Sequence, residues 1–412
     1  MTQDHSALAA LRRPLPHGLP PNVILPNQEG LSLPGVTSLI ETILGTANGP
    51  SPLADRLKSS EAERVVLLIL DGLGYNKLQE LWAQGEAPNL KALSRQGSAT
   101  PISSVFPSTT ATALSSLATG LDPIAHGMLG YRLYLREIGA ITNMLKLSIV
   151  GTARAGTALD AGLDADRFFR SETIHQRLSM NGVATHAALH HAIVGSGLSN
   201  FLYRGCRHVH SVASFDDMCV VTRQLLARER GRVLVSLYWS GLDSIGHSRG
   251  PDTESYVAEL RSVDATLGRE LINHMDGATL LVTSDHGFVP LEPADFVPFG
   301  DLRDGVPEVA LPPTGEPRAS YLYATRTAAV SEESVLRPDG LLQLSIEDAL
   351  DIDLFGSDHP HPEARHRLGD YLLTSTSKTA VLQPYTDSVR LPGMHGGLTD
   401  NEMIVPLIAA DL

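Results

Sequence analysis

Cysteine is nearly absent from this chain of 412 residues, which contains only Cys206 and Cys219. Two thiols cannot build a disulfide framework, and neither lies in a CxxC pair of the kind that binds metal. The sequence also has no apolar run long enough to span a membrane, and residues 1–21 are rich in proline without the apolar centre of a signal peptide. We therefore expect a cytoplasmic protein that has no membrane partner.

Positive charge is also scarce, since 32 Lys and Arg residues stand against 46 Asp and Glu residues, for a net charge of −14. A surface of that sign repels a phosphate backbone, so we expect no bulk nucleic acid partner. A small phosphate ester at a metal site remains compatible with this balance, because local charge outweighs the overall charge there.

An unbroken apolar run at residues 65–70 ends at Asp71 and Gly72. Such a run predicts a strand buried on both faces, with Asp71 emerging at the carboxyl edge of the sheet, where open α/β folds bind ligands. Helix and strand patterns then alternate from about residue 170 to 290. Strands are predicted at 183–189, 208–212, 233–239 and 279–284, and helices at 172–180, 215–228 and 253–275. The alternation predicts an α/β fold with a doubly wound, mainly parallel central sheet and helices on both faces.

Changes in residue composition and in the helix and strand patterns divide the chain into three parts. Residues 1–60, with five prolines between 14 and 26, predict an irregular surface arm followed by a short helix at 36–44. Residues 61–287 and 393–412 predict the α/β core, which ends in a strand at 403–409. Residues 288–392 begin with frequent proline and glycine and contain only short helix and strand patterns, so we expect an inserted cap-like subdomain.

Four hydroxyl residues, Ser108, Thr109, Thr110 and Thr112, precede a run of small residues that ends at Gly120. Hydroxyl residues in that position predict the N-cap of a helix. A helix N-terminus can hold an anion through its free N–H groups, and a hydroxyl placed there could attack phosphorus if its proton is removed. An ordinary helix cap is the alternative interpretation of this stretch alone.

Acids and histidines recur where predicted strands end. Asp243 and His247 lie four residues apart in a predicted turn after the strand at 233–239, and Asp285 and His286 follow the strand at 279–284. His395 lies between glycines, where the backbone can approach a ligand closely. Each piece alone is more often a turn or a cap. Together with Asp71 they predict two oxygen and nitrogen sites for divalent ions, zinc by preference and manganese as a possibility.

The order of these segments resembles the alkaline phosphatase superfamily, and most closely its type I phosphodiesterase/nucleotide pyrophosphatase branch. The matching pieces are Asp71-Gly72, the 106–110 stretch with Thr119-Gly120, the Asp243 to Pro251 segment, Ser284 to Gly287, and His395-Gly396. The resemblance implies two zinc ions, one held by Asp243, His247 and His395 and the other by Asp71, Asp285, His286 and Thr110. It also implies that Thr110 is the nucleophile. Family diesterases usually have an asparagine three residues after the nucleophile, where this chain has Ala113, so substrate preference cannot be copied across.

The resemblance thus implies metal-dependent hydrolysis of a small phosphoric ester or nucleotide through a covalent phosphothreonine. A phosphodiesterase or nucleotide pyrophosphatase is our first expectation. The alternatives are a phosphomonoesterase or phosphonate hydrolase with the same chemistry, and a non-catalytic protein that binds metal or phosphate. Tyr75, Asn143 and Arg318 are candidates for the substrate pocket.

Further histidines occur at His190-His191 and at His208 and His210. The last two share one face of a predicted strand, which suits a metal ion. Because no acid lies near them in the sequence, we favour a role without metal for these residues.

Overall fold

The computed structural model describes residues 5–16, 19–302, 306–325, 335–337, 340–385 and 389–412. Its α-helices are His5–Leu11 (α1), Leu33–Ile43 (α2), Pro52–Leu57 (α3), Tyr75–Ala83 (α4), Pro88–Gln96 (α5), Thr110–Thr119 (α6), Pro123–His126 (α7), Thr157–Asp160 (α8), Ala165–Phe168 (α9), Ile174–Met180 (α10), Ser199–Leu202 (α11), Phe215–Arg228 (α12), Gly241–Arg249 (α13), Glu254–Thr266 (α14), Ile346–Asp351 (α15), Ala364–Leu368 (α16) and Asp400–Met403 (α17). Among the described residues, none of these helices is both long enough and apolar enough to cross a membrane.

The strands of the same residues are Arg64–Leu70 (β1), Ser98–Ser103 (β2), Arg132–Leu135 (β3), Ala140–Asn143 (β4), Ser148–Ile149 (β5), Ala184–His190 (β6), His208–Val212 (β7), Val233–Trp239 (β8), Thr279–Thr283 (β9), Val289–Pro290 (β10), Phe296–Pro298 (β11), Thr314–Glu316 (β12), Ala319–Leu322 (β13), Val335–Leu336 (β14), Leu341–Ser345 (β15), Tyr371–Ser375 (β16), Ala380–Leu382 (β17), Gly393–Met394 (β18) and Ile404–Asp411 (β19).

A seven-stranded sheet in the order β2-β19-β9-β1-β8-β6-β7 forms the centre of the molecule. The position of β1 within this sheet explains why residues 65–70 are all apolar. Val65, Leu67 and Ile69 pack in the core on one face of the sheet, while Val66, Leu68 and Leu70 pack in the core on the other face. A strand covered on both faces needs apolar side chains in both directions, which confirms the prediction of a buried central strand.

The sheet is mixed, because β19 is antiparallel to both of its neighbours, β2 and β9. Strands β9, β1, β8, β6 and β7 pair in parallel, as the alternation of helix and strand predicted. The predicted helix at 253–275 is interrupted, since α14 ends at Thr266 and continues as a π-turn, Leu267–Leu271, and a 3-10 turn, Ile272–His274. The predicted turn at Asp243 is also wrong, because these residues belong to α13.

A second sheet of eight strands has the order β14-β15-β16-β13-β12-β3-β4-β5. Its first five strands come from the segment at 288–392, and its last three come from residues 132–149. The two segments join where Gly315 of β12 pairs with Arg132 of β3. A sheet built from two distant segments therefore lies beside the carboxyl edge of the central sheet.

The N-terminal segment differs from the expected irregular arm. Residues His5–Leu11 form α1, and Val23, Ile24 and Leu25 are almost fully buried in the core that also contains α2. The prolines that follow α1 prevent this helix from continuing. The apolar residues Val23, Ile24 and Leu25 pack the segment against the core.

Candidate active site

Two carboxylates of the site follow directly from the ends of central strands. Asp71 comes directly after β1 and Asp285 comes two residues after the end of β9, and these two strands are neighbours in the sheet. Both side chains are almost completely buried. The backbone N–H groups of Gly72 and His286 donate to Oδ1 of Asp285, at 3.2 and 3.0 Å, and so fix the direction in which its second oxygen points.

Helix α13 supplies the next two groups. It begins after β8, and Asp243 and His247 lie on one face of it because residues four apart are neighbours on a helix. Nε2 of His247 is 3.3 Å from Oδ1 of Asp243. His395 arrives from the loop after β18, and its Nε2 lies 3.1 Å from Nε2 of His247. Asp243, His247 and His395 therefore form one cluster whose ligand atoms lie within 4.8 Å of one another.

The second cluster consists of Asp71, Asp285 and His286. Nε2 of His286 is 3.5 Å from Oδ1 of Asp71, 3.4 Å from Oδ2 of Asp285 and 3.2 Å from Oγ1 of Thr110. Two atoms that bind the same tetrahedral zinc ion at its usual bond lengths are about 3.3 Å apart. Most separations in the clusters are close to that value, and the longest of those between a histidine and a carboxylate, from Nε2 of His395 to Oδ1 of Asp243, is 3.8 Å.

All three histidines are oriented by the backbone. Nδ1 of His247 donates to the carbonyl of Gly393 at 2.9 Å, and Nδ1 of His395 donates to the carbonyl of Ser108 at 3.0 Å. Nδ1 of His286 faces the carbonyl of Gly287 at 3.1 Å. A histidine whose Nδ1 carries the proton presents an unprotonated Nε2, which is the form that binds a metal ion. Each cluster therefore receives imidazole lone pairs.

Unsatisfied carboxylate oxygens give an independent test of whether metal ions fit here. Oδ1 of Asp71, Oδ1 of Asp243 and Oδ2 of Asp285 are buried without a hydrogen-bond donor in the structure. Burial, reinforced by the charges of Asp243 and Asp285, raises the pKa of Asp71 well above its usual value. Burial likewise raises the pKa of Asp243. Carboxylates in such surroundings need a positive charge to stay ionised, and the residues present fit two divalent ions.

Thr110 is the first residue of α6 and the only one of the four hydroxyl residues of its stretch whose hydroxyl contacts these clusters in the described structure. Its neighbour Thr109 is the N-cap, whereas the hydroxyl of Ser108 donates to the carbonyl of Gly397 and that of Thr112 is buried without a partner. The helix thus begins three residues earlier than the small-residue run indicated. That start places the Thr110 side chain and the free N–H groups of the first turn together at the site.

A cavity of about 280 Å³ opens beside these groups. Thr110, Asp243, His247 and His395 line its floor, and the remaining wall is mostly apolar. The wall is completed by Tyr131, Arg132, Leu145, Phe296, Glu316, Pro317, Val381, Leu382, Gln383, Val389, Leu391 and Met394, together with Thr109. The wall therefore comes from the second sheet, from the two-stranded pair of β11 and β17, and from the segment that leads from β17 through β18.

The three residues proposed from the sequence for the pocket have other partners. Arg318 is fully buried and its guanidinium donates to both oxygens of Glu402 at 2.6 and 2.8 Å. Oδ1 of Asn143 accepts from the N–H of Leu145 at 3.0 Å, and Tyr75 packs in the core that contains α2. None of the three lines the cavity described above.

Sequence reasoning missed two charged residues of the cavity, Arg132 and Glu316. The guanidinium of Arg132 donates to Gln383 at 3.2 Å and lies 4.9 Å from the ring centres of Tyr131 and Tyr385. Burial raises the pKa of Glu316 to about 7. Both residues lie where β3 meets β12, which is a pairing of distant segments that the local sequence does not signal.

The fold and the paired clusters define an alkaline phosphatase-like α/β protein, and comparison with known proteins specifies the family. The family model described as type I phosphodiesterase/nucleotide pyrophosphatase matches residues 65–398. The chain belongs to that family.

One curated relative is human ectonucleotide pyrophosphatase/phosphodiesterase family member 7, which is 27% identical over 276 residues. The match covers 63% of this chain and 55% of the relative, so the chain spans about half the length of that protein.

Solved structures with the same fold include murine ectonucleotide pyrophosphatase/phosphodiesterase 5, with a TM-score of 0.64, 17% identity and coverage of 84% of this chain and 88% of that one. A further structure of the murine protein is of an inactive variant in complex with AMP. Phosphonoacetate hydrolase from Sinorhizobium meliloti 1021, in complex with phosphonoformate, has a TM-score of 0.59, 20% identity and coverage of 84% and 90%. At these identities the likeness shows the fold.

Proposed function

We propose that this protein hydrolyses small phosphoric esters through a covalent phosphothreonine on Thr110, most simply as a phosphodiesterase or nucleotide pyrophosphatase. The observation that supports this most is the position of the Thr110 hydroxyl, which lies at the start of α6, 3.2 Å from Nε2 of His286, in the cavity that Asp243, His247 and His395 also line. A hydroxyl that served only the helix start would not need an imidazole and a metal-binding type of cluster beside it.

The proposal places one divalent ion on Asp71, Asp285, His286 and Thr110 and the other on Asp243, His247 and His395. When bound, ions at these positions would lower the pKa of a coordinated hydroxyl and neutralise charge that develops on the phosphoryl oxygens. Zinc suits the ligand set, with manganese as the alternative.

The protein's own groups would hold the substrate in line with Thr110. The N–H groups at the start of α6 are unused within the helix and point toward an anion placed there. Ala113 supplies no amide at the position where family diesterases usually have one, so these backbone donors are our candidates for the contact with a phosphoryl oxygen. A cap-like role of the second sheet, together with β11, β17 and β18, is part of the proposal, because residues of these elements line the cavity beside Thr110.

Arg132 favours a second candidate function within the same chemistry, the hydrolysis of a phosphonate or another ester that has a second anionic group. Its buried guanidinium lines the cavity, and a guanidinium can bind a carboxylate or phosphate through two parallel hydrogen bonds. The structural likeness to a phosphonoacetate hydrolase agrees with this candidate at the level of the fold.

Hydrolysis assays with Thr110→Ala test the proposal directly. Purified protein loaded with zinc or manganese is offered bis-p-nitrophenyl phosphate, p-nitrophenyl phosphate, a dinucleotide and phosphonoacetate. We expect Thr110→Ala to lower kcat on the preferred substrate by on the order of 10⁴-fold or more, as removal of a nucleophile does, and Thr110→Ser to retain part of the activity.

Thr112→Val is the matched control, because the Thr112 hydroxyl is buried without a partner and the replacement preserves its shape. Equal rates for wild type and Thr110→Ala would contradict the role of Thr110. Stable metal binding without turnover of any ester would instead support a non-catalytic binding protein.

A further inference from the structure

Three histidines meet at the edge of the central sheet that is farthest from β2. His186 is the third residue of β6, and His208 and His210 belong to the neighbouring edge strand β7. The site lies toward the amino ends of these parallel strands, whereas the candidate active site lies at the carboxyl edge of the same sheet. The histidines therefore belong to a separate part of the molecule.

Two of these rings are placed as ligands of one ion would be, and the third lies next to them. Nδ1 of His186 lies 3.2 Å from Nε2 of His210, close to the separation of about 3.3 Å expected for two nitrogens on a tetrahedral ion. Their ring centres are 5.4 Å apart, compared with 5.0 Å for His247 and His395 in the candidate active site. The ring of His208 is 6.0 Å from each of the other two, so the three rings form a nearly regular triangle.

A carboxylate orients the buried member of this group. Nε2 of His186 donates to Oε1 of Glu229 at 3.1 Å, and Arg207 holds the other oxygen of Glu229 at 3.0 Å. With its Nε2 proton committed to Glu229, His186 presents Nδ1 as a lone pair toward His210. A carboxylate behind a histidine is the usual arrangement around histidines that bind metal ions. Burial also lowers the pKa of His186 and of His210, which favours their neutral forms.

We propose that His186, His208 and His210 form an additional metal site, which binds a divalent transition ion, zinc by preference. His186 and His210 already converge, and His208, which is exposed, completes the set by a rotation of its side chain. Three imidazoles exclude magnesium and calcium, which prefer oxygen ligands, and leave a fourth position on the solvent side for water. This site is independent of the proposed hydrolytic function.

Binding at this site would connect β6 to the edge strand β7 by a second link besides their backbone hydrogen bonds. Since an ion that binds only the folded protein stabilises it, zinc should protect this edge of the sheet. The local amide hydrogens of β7 should then exchange more slowly with zinc than without it.

The test compares the zinc content of wild type, His210→Ala and His208→Ala after metal-free protein has been loaded with zinc and passed over a desalting column. We expect each variant to hold one zinc ion fewer per chain than wild type, whatever the number bound elsewhere. Cobalt in place of zinc should give a visible absorption band of which one component is lost in both variants. Glu229→Gln should keep the ion but weaken its binding by about 10–100-fold, the usual cost of losing such a partner.

His190→Ala/His191→Ala is the matched control, since it removes two adjacent histidines, with ring centres 4.1 Å apart, at the other end of β6. The control should keep the wild-type zinc content and the slowed exchange of β7. Equal zinc content in wild type, His208→Ala and His210→Ala would overturn the proposal, and so would an equal loss in the control. Because His208 and His210 lie toward the surface, their variants avoid the folding risk of replacing the buried His186.

Discussion

Tyr238 shows how a single residue outside the ligand set can determine the behaviour of the site. It belongs to β8, and its hydroxyl donates to Oδ2 of Asp71. That contact leaves Oδ1 of Asp71 directed toward His286 and available to an ion. The Tyr238 side chain is buried, so its orientation is fixed by packing rather than by solvent.

We expect Tyr238→Phe to keep the fold and to weaken zinc binding at the Asp71 cluster by about 10–100-fold, because Asp71 loses the partner that orients it. Zinc titration against a competing chelator measures the affinity. Tyr321→Phe is a suitable control, since Tyr321 is also buried but donates to the backbone carbonyl of Leu129 at 2.7 Å. Unchanged affinity in Tyr238→Phe would show that packing alone orients Asp71.

The residues of the two clusters were predictable from the sequence because most of them stand beside a local signal. Asp71 and Asp285 follow apolar strands, and His395 stands between glycines. Tyr238, Arg132 and Glu316 have no such signal. Tyr238 is one residue within a mostly apolar strand. Arg132 and Glu316 line the cavity only because β3 and β12, which are distant in sequence, pair with each other. Information of that kind lies in the tertiary structure.

At the scale of elements, an ion pair attaches the second sheet to the end of the central sheet. Arg318 lies between β12 and β13, and Glu402 belongs to α17, which leads directly into β19. Both side chains are fully buried, and Glu402 also accepts from the N–H of Gly397 at 2.8 Å. The loop that contains His395 connects β18 to α17, and the buried ion pair holds this loop through the N–H of Gly397.

We predict that Glu402→Gln lowers the free energy of unfolding by about 3–5 kcal/mol, because it leaves the Arg318 charge buried without a compensating charge. The double variant Arg318→Met/Glu402→Met should be less destabilised than the sum of Arg318→Met and Glu402→Met. Urea unfolding of these three variants, of Glu402→Gln and of wild type measures both effects.

The surface pair of Arg261 and Glu86 provides the comparison, since Arg261→Met should cost far less than Glu402→Gln because water screens this pair. A cost for Glu402→Gln that is as small as that of Arg261→Met would show that the buried pair does not hold the two sheets together.

Most elements were predictable because their side-chain periodicity is local. The helix Phe215–Arg228 and the strands His208–Val212 and Val233–Trp239 have the predicted bounds. Helix α13 was missed because its glycines and serines weaken the helical pattern, although the spacing of Asp243 and His247 is that of one helix face. The π-turn after Thr266 depends on packing around Leu267 and Leu271 and has no signal of its own.

At the scale of the whole molecule, buried neutral histidines make stability depend on pH. Burial, with a smaller contribution from Arg177, lowers the pKa of His175 from 6.5 to about 3. Between those values the unfolded chain binds a proton that the folded protein does not bind. The contribution of His175 to stability is therefore fully present above about pH 6.5 and is lost as the pH falls, by up to about 1.4 kcal/mol per pH unit.

We expect His175→Phe to flatten the fall in stability between about pH 6.5 and pH 4 by about that slope. Urea unfolding at several pH values measures it, with both proteins in the same metal state, because the raised pKa values of Asp71 and Asp243 act in the opposite direction. Replacement of the exposed His359 by Phe should leave the slope unchanged. Parallel curves for wild type and His175→Phe would contradict the prediction.

The position of β19 between β2 and β9 has a consequence for how the molecule is made. A ribosome releases residues 98–103 some three hundred residues before Ile404–Asp411, so β2 must wait for its only partner in this sheet among the described strands. His395 emerges almost as late. A growing polypeptide would therefore be unable to assemble the cluster of Asp243, His247 and His395 until the segment after β18 has emerged. The proposed hydrolysis could begin only after that segment has been made.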